Sequence, residues 1–523
     1  MRGAAVVAAL LLVVGSGVGA SAASPVASGA PAASGAPVVA LAPLPVPPAA
    51  TLDGPPVRLS ALDRHTADAY AAAALVQVGG GCSGVLIAPR PGPIPADAPA
   101  TVLTNGHCID FLAPTAVVRD TEPSGTVTFG WEGSGTVDAV ASVAAIPWAS
   151  MKGTDLAILT LGRPVADLVA RGIRPLPLAA TAPAAGTQVV IVGAPSHPDQ
   201  PERVLELATC TLGPTHALVE GEWSFTGFPS NHCGDIRPGS SGSPVIDPAT
   251  GEVVGLVNTG TAGSEGLSDC VIDRPCEVGP EGGQSIPDTV YGPLLAGLGG
   301  CFDDAWAFTG PGAGCPLDPG IGVSVEGATV ATNPDATPIS GRLPATTWNA
   351  TLVPSDPRVD HVRAKTGPLG SVDCHDPAGY GPVQAIADQP FVDLPLPDAE
   401  GRVQLCLLAG PGTVPDGRWQ EPRFATVVTA WIDKTPPLPP IRLDATSDAV
   451  GWTVTPVPMD PELVAFRWKW GPQSTTDCAD PAGYAVWRHA PRRLPRAAEP
   501  TRLCVIGYDE ASNPSAPLDR VLS

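Results

Sequence analysis

From about Leu59 the chain falls into short apolar runs punctuated by Gly and Pro. ALVQV, CSGVLIAP, TVLTNG, GTVTFGW, LAILTL, QVVIVGAP, RVLELATCTL, GSPVID and EVVGLVNTG follow one another in this way. Many short strands with turn signals between them predict an all-β barrel or sandwich. One later stretch, DTVYGPLLAGLGGCF, predicts a short helix instead. Asp288 would cap it, and Val290, Leu294, Leu295 and Leu298 would share a face.

Past Cys315 the pattern repeats itself. HVRAKTGPLGSVDCHDPAGY starts at His361 and AFRWKWGPQSTTDCADPAGY at Ala465, an offset of 104 residues. Lys365 and Lys469, Cys374 and Cys478, and Gly379-Tyr380 and Gly483-Tyr484 all keep it. Each copy runs on to a second cysteine, in VQLCLLAG and TRLCVIGY. A repeat of about 100 residues with one internal bridge and alternating strands suits a small immunoglobulin-like β-sandwich. WIDKTPPLPP, Trp431 to Pro440, forms a stiff joint between the copies.

The N-terminus follows different rules. Arg2 precedes an apolar stretch from Ala4 to Val14, and Ala20-Ser21-Ala22 supplies an A-x-A site. This predicts a secretory signal over residues 1–22, too short to span a bilayer. Residues 23–57, rich in Ala and Pro, predict a linker or pro-segment, extended or disordered. The remaining boundaries are a first β domain over 58–317 and sandwiches over 323–436 and 437–523. No later run reaches about 18 uninterrupted apolar residues, so no membrane span is expected.

Net charge is −22. That excludes nucleic acid and anionic membranes as expected partners, because both call for basic patches. Twelve cysteines in an exported chain predict disulfides. Their order invites the pairs Cys82–Cys108, Cys210–Cys233, Cys270–Cys276, Cys301–Cys315, Cys374–Cys406 and Cys478–Cys504. Zinc is the competing reading, but no C-x-x-C pair exists and the His and Cys neighbours lack metal spacing.

RPGSSGSPVID, Arg237 to Asp247, is either a plain Gly/Ser turn or a turn that exposes one serine oxygen. A serine hydroxyl is a weak nucleophile and needs a base, and the base needs an orienting group. His107, in TVLTNGHCID, ends an apolar strand; alone it reads as a structural residue. Asp155, in MKGTDLAILTL, opens an apolar run and is the only charge between Lys152 and Arg163. Alone it reads as a turn residue.

Together, CSGVLIAP, LTNGHC, TDLAILTL and PGSSGSPV resemble the chymotrypsin-like serine peptidases. Within that fold they resemble most the bacterial secreted branch that includes the glutamyl endopeptidases. The order His107, Asp155, Ser241 is that fold's order and not that of the α/β-hydrolases. The resemblance covers roughly Ala71 to Leu317 and implies a double antiparallel β-barrel. It implies Ser241 as nucleophile, His107 as general base and Asp155 as its orienting partner. The N–H groups of Gly239 and Ser241 would form the oxyanion hole. Cys82–Cys108 stands where the family often carries a bridge, and the segment from Tyr291 to Leu298 where it often carries a closing helix.

Three positions bear on activation and specificity. Ser240 occupies the position of the aspartate that pairs with a new N-terminus in trypsins, so that mode of activation is not expected. Asp235 lies six residues before Ser241, where trypsins bind Arg or Lys, but Arg237 is near enough to neutralise it. Val257 stands where the glutamyl branch expects a histidine. The resemblance implies a secreted endopeptidase, extracellular or periplasmic, acting on a protein or peptide substrate without metal or cofactor. The sandwiches would bind substrate, cell wall or another surface ligand. The alternative is a binding or adhesion protein on an inactive peptidase scaffold.

Overall fold

The computed structural model describes residues 44–47, 50–130, 139–200, 202–264, 268–337, 344–412, 419–437, 441–458, 462–488 and 490–523. The expected signal over 1–22, and the following residues to 43, lie outside the described residues. Strands dominate, as the sequence pattern predicts.

Six strands build the first barrel: β1 (Ala73–Gln77), β2 (Gly81–Ala88), β3 (Pro99–Thr104), β4 (Thr126–Phe129), β5 (Ala139–Ser150) and β6 (Leu156–Pro164). All neighbours are antiparallel. β1 pairs with both β2 and β4, so the ring β1-β2-β3-β6-β5-β4 closes. Closure leaves no unpaired edge. The first half of β5 alternates buried and exposed residues, as a strand with one face on a core must. β2 is buried along nearly its whole length, which places it at the interior of the molecule.

The second barrel uses β7 (Gln188–Gly193), β8 (Glu206–Glu220), β9 (Trp223–Asn231), β10 (Pro244–Asp247), β11 (Glu252–Leu256), β12 (Thr259–Gly260) and β13 (Val290–Tyr291). Their order is β11-β10-β7-β8-β9-β13-β12. A bridge from Gly255 to Leu294 brings the far end back to β11.

The helix expected over Asp288 to Phe302 is not formed. Val290 and Tyr291 pair instead with Asn231 and Ser230 of β9 and with Gly260 and Thr259 of β12. Asp288 has φ +50°, which a helix cannot use. Pro293 follows at once and cannot donate a helical hydrogen bond. Only Leu298–Cys301 makes a short 3₁₀ turn. Leu295 and Leu298 are buried all the same, so their spacing marked burial and not a helix.

Residues 44–47 and 50–56 of the Ala/Pro-rich segment are docked, with a turn at Thr51–Gly54 where Asp53 has φ +55°. Leu44 N–H donates to Pro248 O, Tyr70 Oη to Pro45 O, and Asp53 N–H to Thr209 O. Val57–Arg58 then pairs with Leu207 and Glu206 of β8.

Beyond the barrels lie two β modules, each made of two sheets. The first pairs Val323–Glu326 with Thr351–Pro354 and adds a five-stranded sheet centred on Gly401–Gly410. The second combines three strands around Gly451–Pro458 with four around Ala465–Pro472 and Thr501–Tyr508. The sequence repeat is also a repeat of contacts. Lys365 Nζ donates to the carbonyls of Asp376 and Ala378 and sits 4.5 Å from the Tyr380 ring centroid. Lys469 does the same with Asp480, Ala482 and Tyr484, at 4.6 Å. Tyr380 and Tyr484 each donate to the carbonyl of their module's first cysteine.

Six disulfides join Cys82–Cys108, Cys210–Cys233, Cys270–Cys276, Cys301–Cys315, Cys374–Cys406 and Cys478–Cys504. No helix among the described residues is long and apolar enough to cross a membrane.

One ion pair ties the barrels to the first module. Lys152 Nζ meets Asp318 Oδ2 at 2.7 Å, with both side chains buried. Asp318 also accepts the Gly320 N–H, and its carbonyl accepts the Trp148 indole N–H. Burial pushes the lysine pKa down, and Asp318 opposes that shift. Breaking a buried pair from one side leaves a buried charge alone, at a cost of about 3–5 kcal/mol. Asp318→Asn should therefore lower the denaturant midpoint sharply. Lys152→Met added to it should recover most of the loss, because no buried charge then remains.

Candidate active site

β3 delivers its last residue, Thr104, to a tight turn through Asn105, Gly106 and His107. Only glycine fits at 106, because a Cβ there would lie 2.4 Å from Ser150 O. Asp155 immediately precedes β6. Its Oδ1 accepts the His107 backbone N–H at 3.0 Å, and its Oδ2 lies 2.7 Å from His107 Nδ1. Asn105 Nδ2 donates to the Asp155 carbonyl at 2.8 Å. The carboxylate is 1% exposed and the imidazole 20%. The aspartate is thus sealed while the ring keeps an open edge.

Ser241 lies on the turn between β9 and β10. Gly239 and Gly242 have φ of +95° and +83°, a region that glycine enters without steric cost. Within this turn the N–H groups of Ser240 and Ser243 donate to Arg237 O and Ser240 O, and that of Gly242 to Val257 O. Among the described residues the N–H groups of Gly239 and Ser241 have no acceptor. Ser241 Oγ donates weakly to Asn258 O at 3.4 Å.

β2 joins the two halves. Cys82 is bridged to Cys108, next to His107. Ser83 N–H donates to Ser241 O at 2.7 Å, and Ser83 Oγ donates to Gly239 O at 2.9 Å. Arg203 adds a second donor to Gly239 O at 2.6 Å and also bonds Ala194 O. Burial lowers the Arg203 pKa to about 10. Ser83 lies inside CSGVLIAP and Arg203 opens the run RVLELATCTL, and nothing local in either stretch marks their bonds to the Ser241 loop.

His107, Asp155 and Ser241 line one cleft of about 750 Å³. Glu220, Trp223, Ile272 and Asp273 also line it. Glu220 is buried, and its Oε1 accepts the Thr259 hydroxyl at 2.8 Å and the Asp273 N–H at 2.9 Å. Burial raises its pKa to about 7, against the pull of those two donors. Asp235 is not among the residues lining the cleft. Its carboxylate pairs with Arg237 at 2.5 Å, and it lines a separate small hollow with Glu206 and Ser240. Another cavity, of about 490 Å³, lies between the second barrel and the first module and touches none of the three residues.

His107 also falls within 4.8 Å of the sulfurs of Cys82 and Cys108, the one such metal-like grouping among the described residues. The two sulfurs are bonded to each other, so neither is a thiolate ligand.

Chemically, the arrangement holds an imidazole in one tautomer and favours its charged form. A serine hydroxyl lines the same cleft, beside unpaired backbone N–H groups. Burial disfavours the imidazolium, but Asp155 outweighs it, with Glu220 and Asp273 adding, so the His107 pKa lies above its ordinary 6.5.

Residues 82–256 match the sequence model of the trypsin-like peptidase domain. No curated protein sequence matches the chain. Among solved structures, a glutamyl endopeptidase in complex with MPD is similar at 20% identity, covering 43% of this chain and 86% of its own, with a TM-score of 0.30. The protease Anisep from Arthrobacter nicotinovorans is similar at 16% identity, covering 43% and 89%, with a TM-score of 0.28. Neuropsin, a serine protease of mouse brain, is similar at 15% identity, covering 43% and 91%, with a TM-score of 0.26.

The raised pKa of His107 has a definite sign. Its contribution to stability is complete below the unfolded value near 6.5 and is lost as pH rises through the folded value. An NMR titration of the imidazole should give a midpoint above 6.5. In Asp155→Asn the midpoint should fall, because burial then acts against a weaker partner. A wild-type midpoint at or below 6.5 would contradict the assigned electrostatics.

Proposed function

From the trypsin-like peptidase domain that this chain carries, we propose that the protein is a secreted serine endopeptidase working through Ser241, His107 and Asp155. The observation that supports this most is the His107–Asp155 contact, sealed from water and opening onto the cleft that Ser241 shares.

Ser241 Oγ attacks the scissile carbonyl, and His107 Nε2 takes its proton. Asp155 holds Nδ1–H, which fixes the tautomer and stabilises the imidazolium. The charge that develops on the carbonyl oxygen is met by the N–H groups of Gly239 and Ser241, which no acceptor among the described residues occupies. Losing one such donor typically costs about 2.7–4 kcal/mol of barrier. His107 then protonates the leaving amine, the acyl-enzyme forms, and water reverses the sequence. Six disulfides fit an oxidising compartment and hence export.

A binding protein on an inactive scaffold is the competing reading. No observation favours it, since all three side chains are present and share one cleft.

A fluorophosphonate probe should label one serine of the full-length chain. Ser241→Ala should abolish labelling, and His107→Ala should suppress it. Asp155→Asn should lower peptide hydrolysis by about 10⁴-fold, because the imidazole then takes the wrong tautomer. A wild-type chain that neither labels nor hydrolyses peptides would remove the peptidase assignment.

A further inference from the structure

The first β module is not simply tethered beside the barrels. From strand Gly401–Gly410 it projects Arg402 onto the second barrel. Arg402 Nη1 donates to Gly221 O and Nη2 to Cys270 O, each at 3.1 Å. Gly221 N–H also donates to Cys270 O, at 2.7 Å. One guanidinium therefore holds together two loops: the turn after Glu220, and the small loop closed by Cys270–Cys276.

Those two loops carry part of the cleft. Glu220, Trp223, Ile272 and Asp273 line it beside His107 and Ser241. Glu220 and Asp273 also bear electrostatically on His107. Ile272 lines both this cleft and the crevice on the module side that contains Arg402. The loop is thus a thin partition between the module and the cleft.

Cys270 and Asp273 have φ of +64° and +63°. Aspartate tolerates that region, whereas a cysteine there costs backbone energy that its surroundings must offset. Arg402 is itself well fixed. Its guanidinium lies 4.6 Å from the Trp431 ring centroid, and burial lowers its pKa to about 10 against the pull of Glu462 and Asp433. A second contact, Ser224 Oγ to Thr429 Oγ1 at 3.2 Å, keeps the module beside the turn.

We propose that the first β module is a working part of the substrate cleft, and that Arg402 is the positioning residue through which it shapes the wall gripping an extended polypeptide. This rests on the peptidase reading above. It gives the module a role in cis, in addition to any surface ligand. Substrates that reach the wall formed by Glu220, Trp223, Ile272 and Asp273 need it. Small acylating or phosphonylating reagents, which engage only Ser241 and His107, do not.

The test compares Arg402→Ala and Arg402→Lys with the wild-type full-length chain. Lysine keeps the charge and the aliphatic stem but lacks the planar fork that spans two carbonyls. In Arg402→Ala, KM for a long peptide should rise about tenfold, while kcat and the fluorophosphonate labelling rate change little. Arg402→Lys should fall between the two. Amide exchange should quicken in residues 221–223 and 270–276 and stay unchanged in β1–β6. An unchanged KM in variants that still label would overturn the proposal and leave the peptidase reading intact. So would an equal loss in labelling, short substrates and long substrates, which would mark general damage to the fold. A wild-type chain that fails to label would overturn the peptidase reading first, and this proposal with it.

Discussion

The rest of the site depends on one buried carboxylate. Asp155 is 1% exposed, and an ionised group in that position is tolerated only when its hydrogen bonds are met. They are met by the backbone N–H and the ring of His107. The local chain is shaped to permit this. Gly106 leaves room between Ser150 and Asp155, and Asn105 grips the aspartate's carbonyl. The same contact that satisfies the aspartate also orients the imidazole. Its stability cost and its proposed chemistry are therefore settled by one geometry.

Strand β2 carries that geometry to the second barrel. Through Cys82 it is tied beside His107, and through Ser83 it bonds both Gly239 and Ser241. Two residues adjacent in sequence thus fix two loops that are far apart in it. Arg203 completes the hold on Gly239. The loop is held by Ser83, Arg203 and its own turn.

His107, Asp155 and Ser241, to which the proposed chemistry is assigned, stand in short motifs with distinctive neighbours, and the structure places all three on one cleft. The sequence repeat is matched by a repeat of contacts, in which Lys365 and Lys469 meet the same carbonyls and tyrosines in both copies. Glu220, Arg203 and Arg402 were not legible. Each acts on carbonyls, amides or hydroxyls that only tertiary structure brings near, and a single charged residue beside an apolar run gives no local signal of those partners. The stretch from Val290 to Leu298 misled for a different reason. Its apolar spacing reports burial, and here burial comes from strand pairing with β9 and β12 followed by irregular chain around Pro293.

Lys152–Asp318 pins the linker to the loop that leads to Asp155, and Arg402 bonds the loops that carry part of the cleft's wall. The barrels and the first module are thus joined on two sides of the cleft-bearing loops. The most direct test of the central claim is a crystal structure of the full-length chain with a peptidyl boronate. A covalent bond from boron to Ser241 Oγ is expected, with one boron-bound oxygen between the N–H groups of Gly239 and Ser241 and the peptide along Glu220 and Ile272. A boronate bonded to another residue, or absent from this cleft, would contradict it.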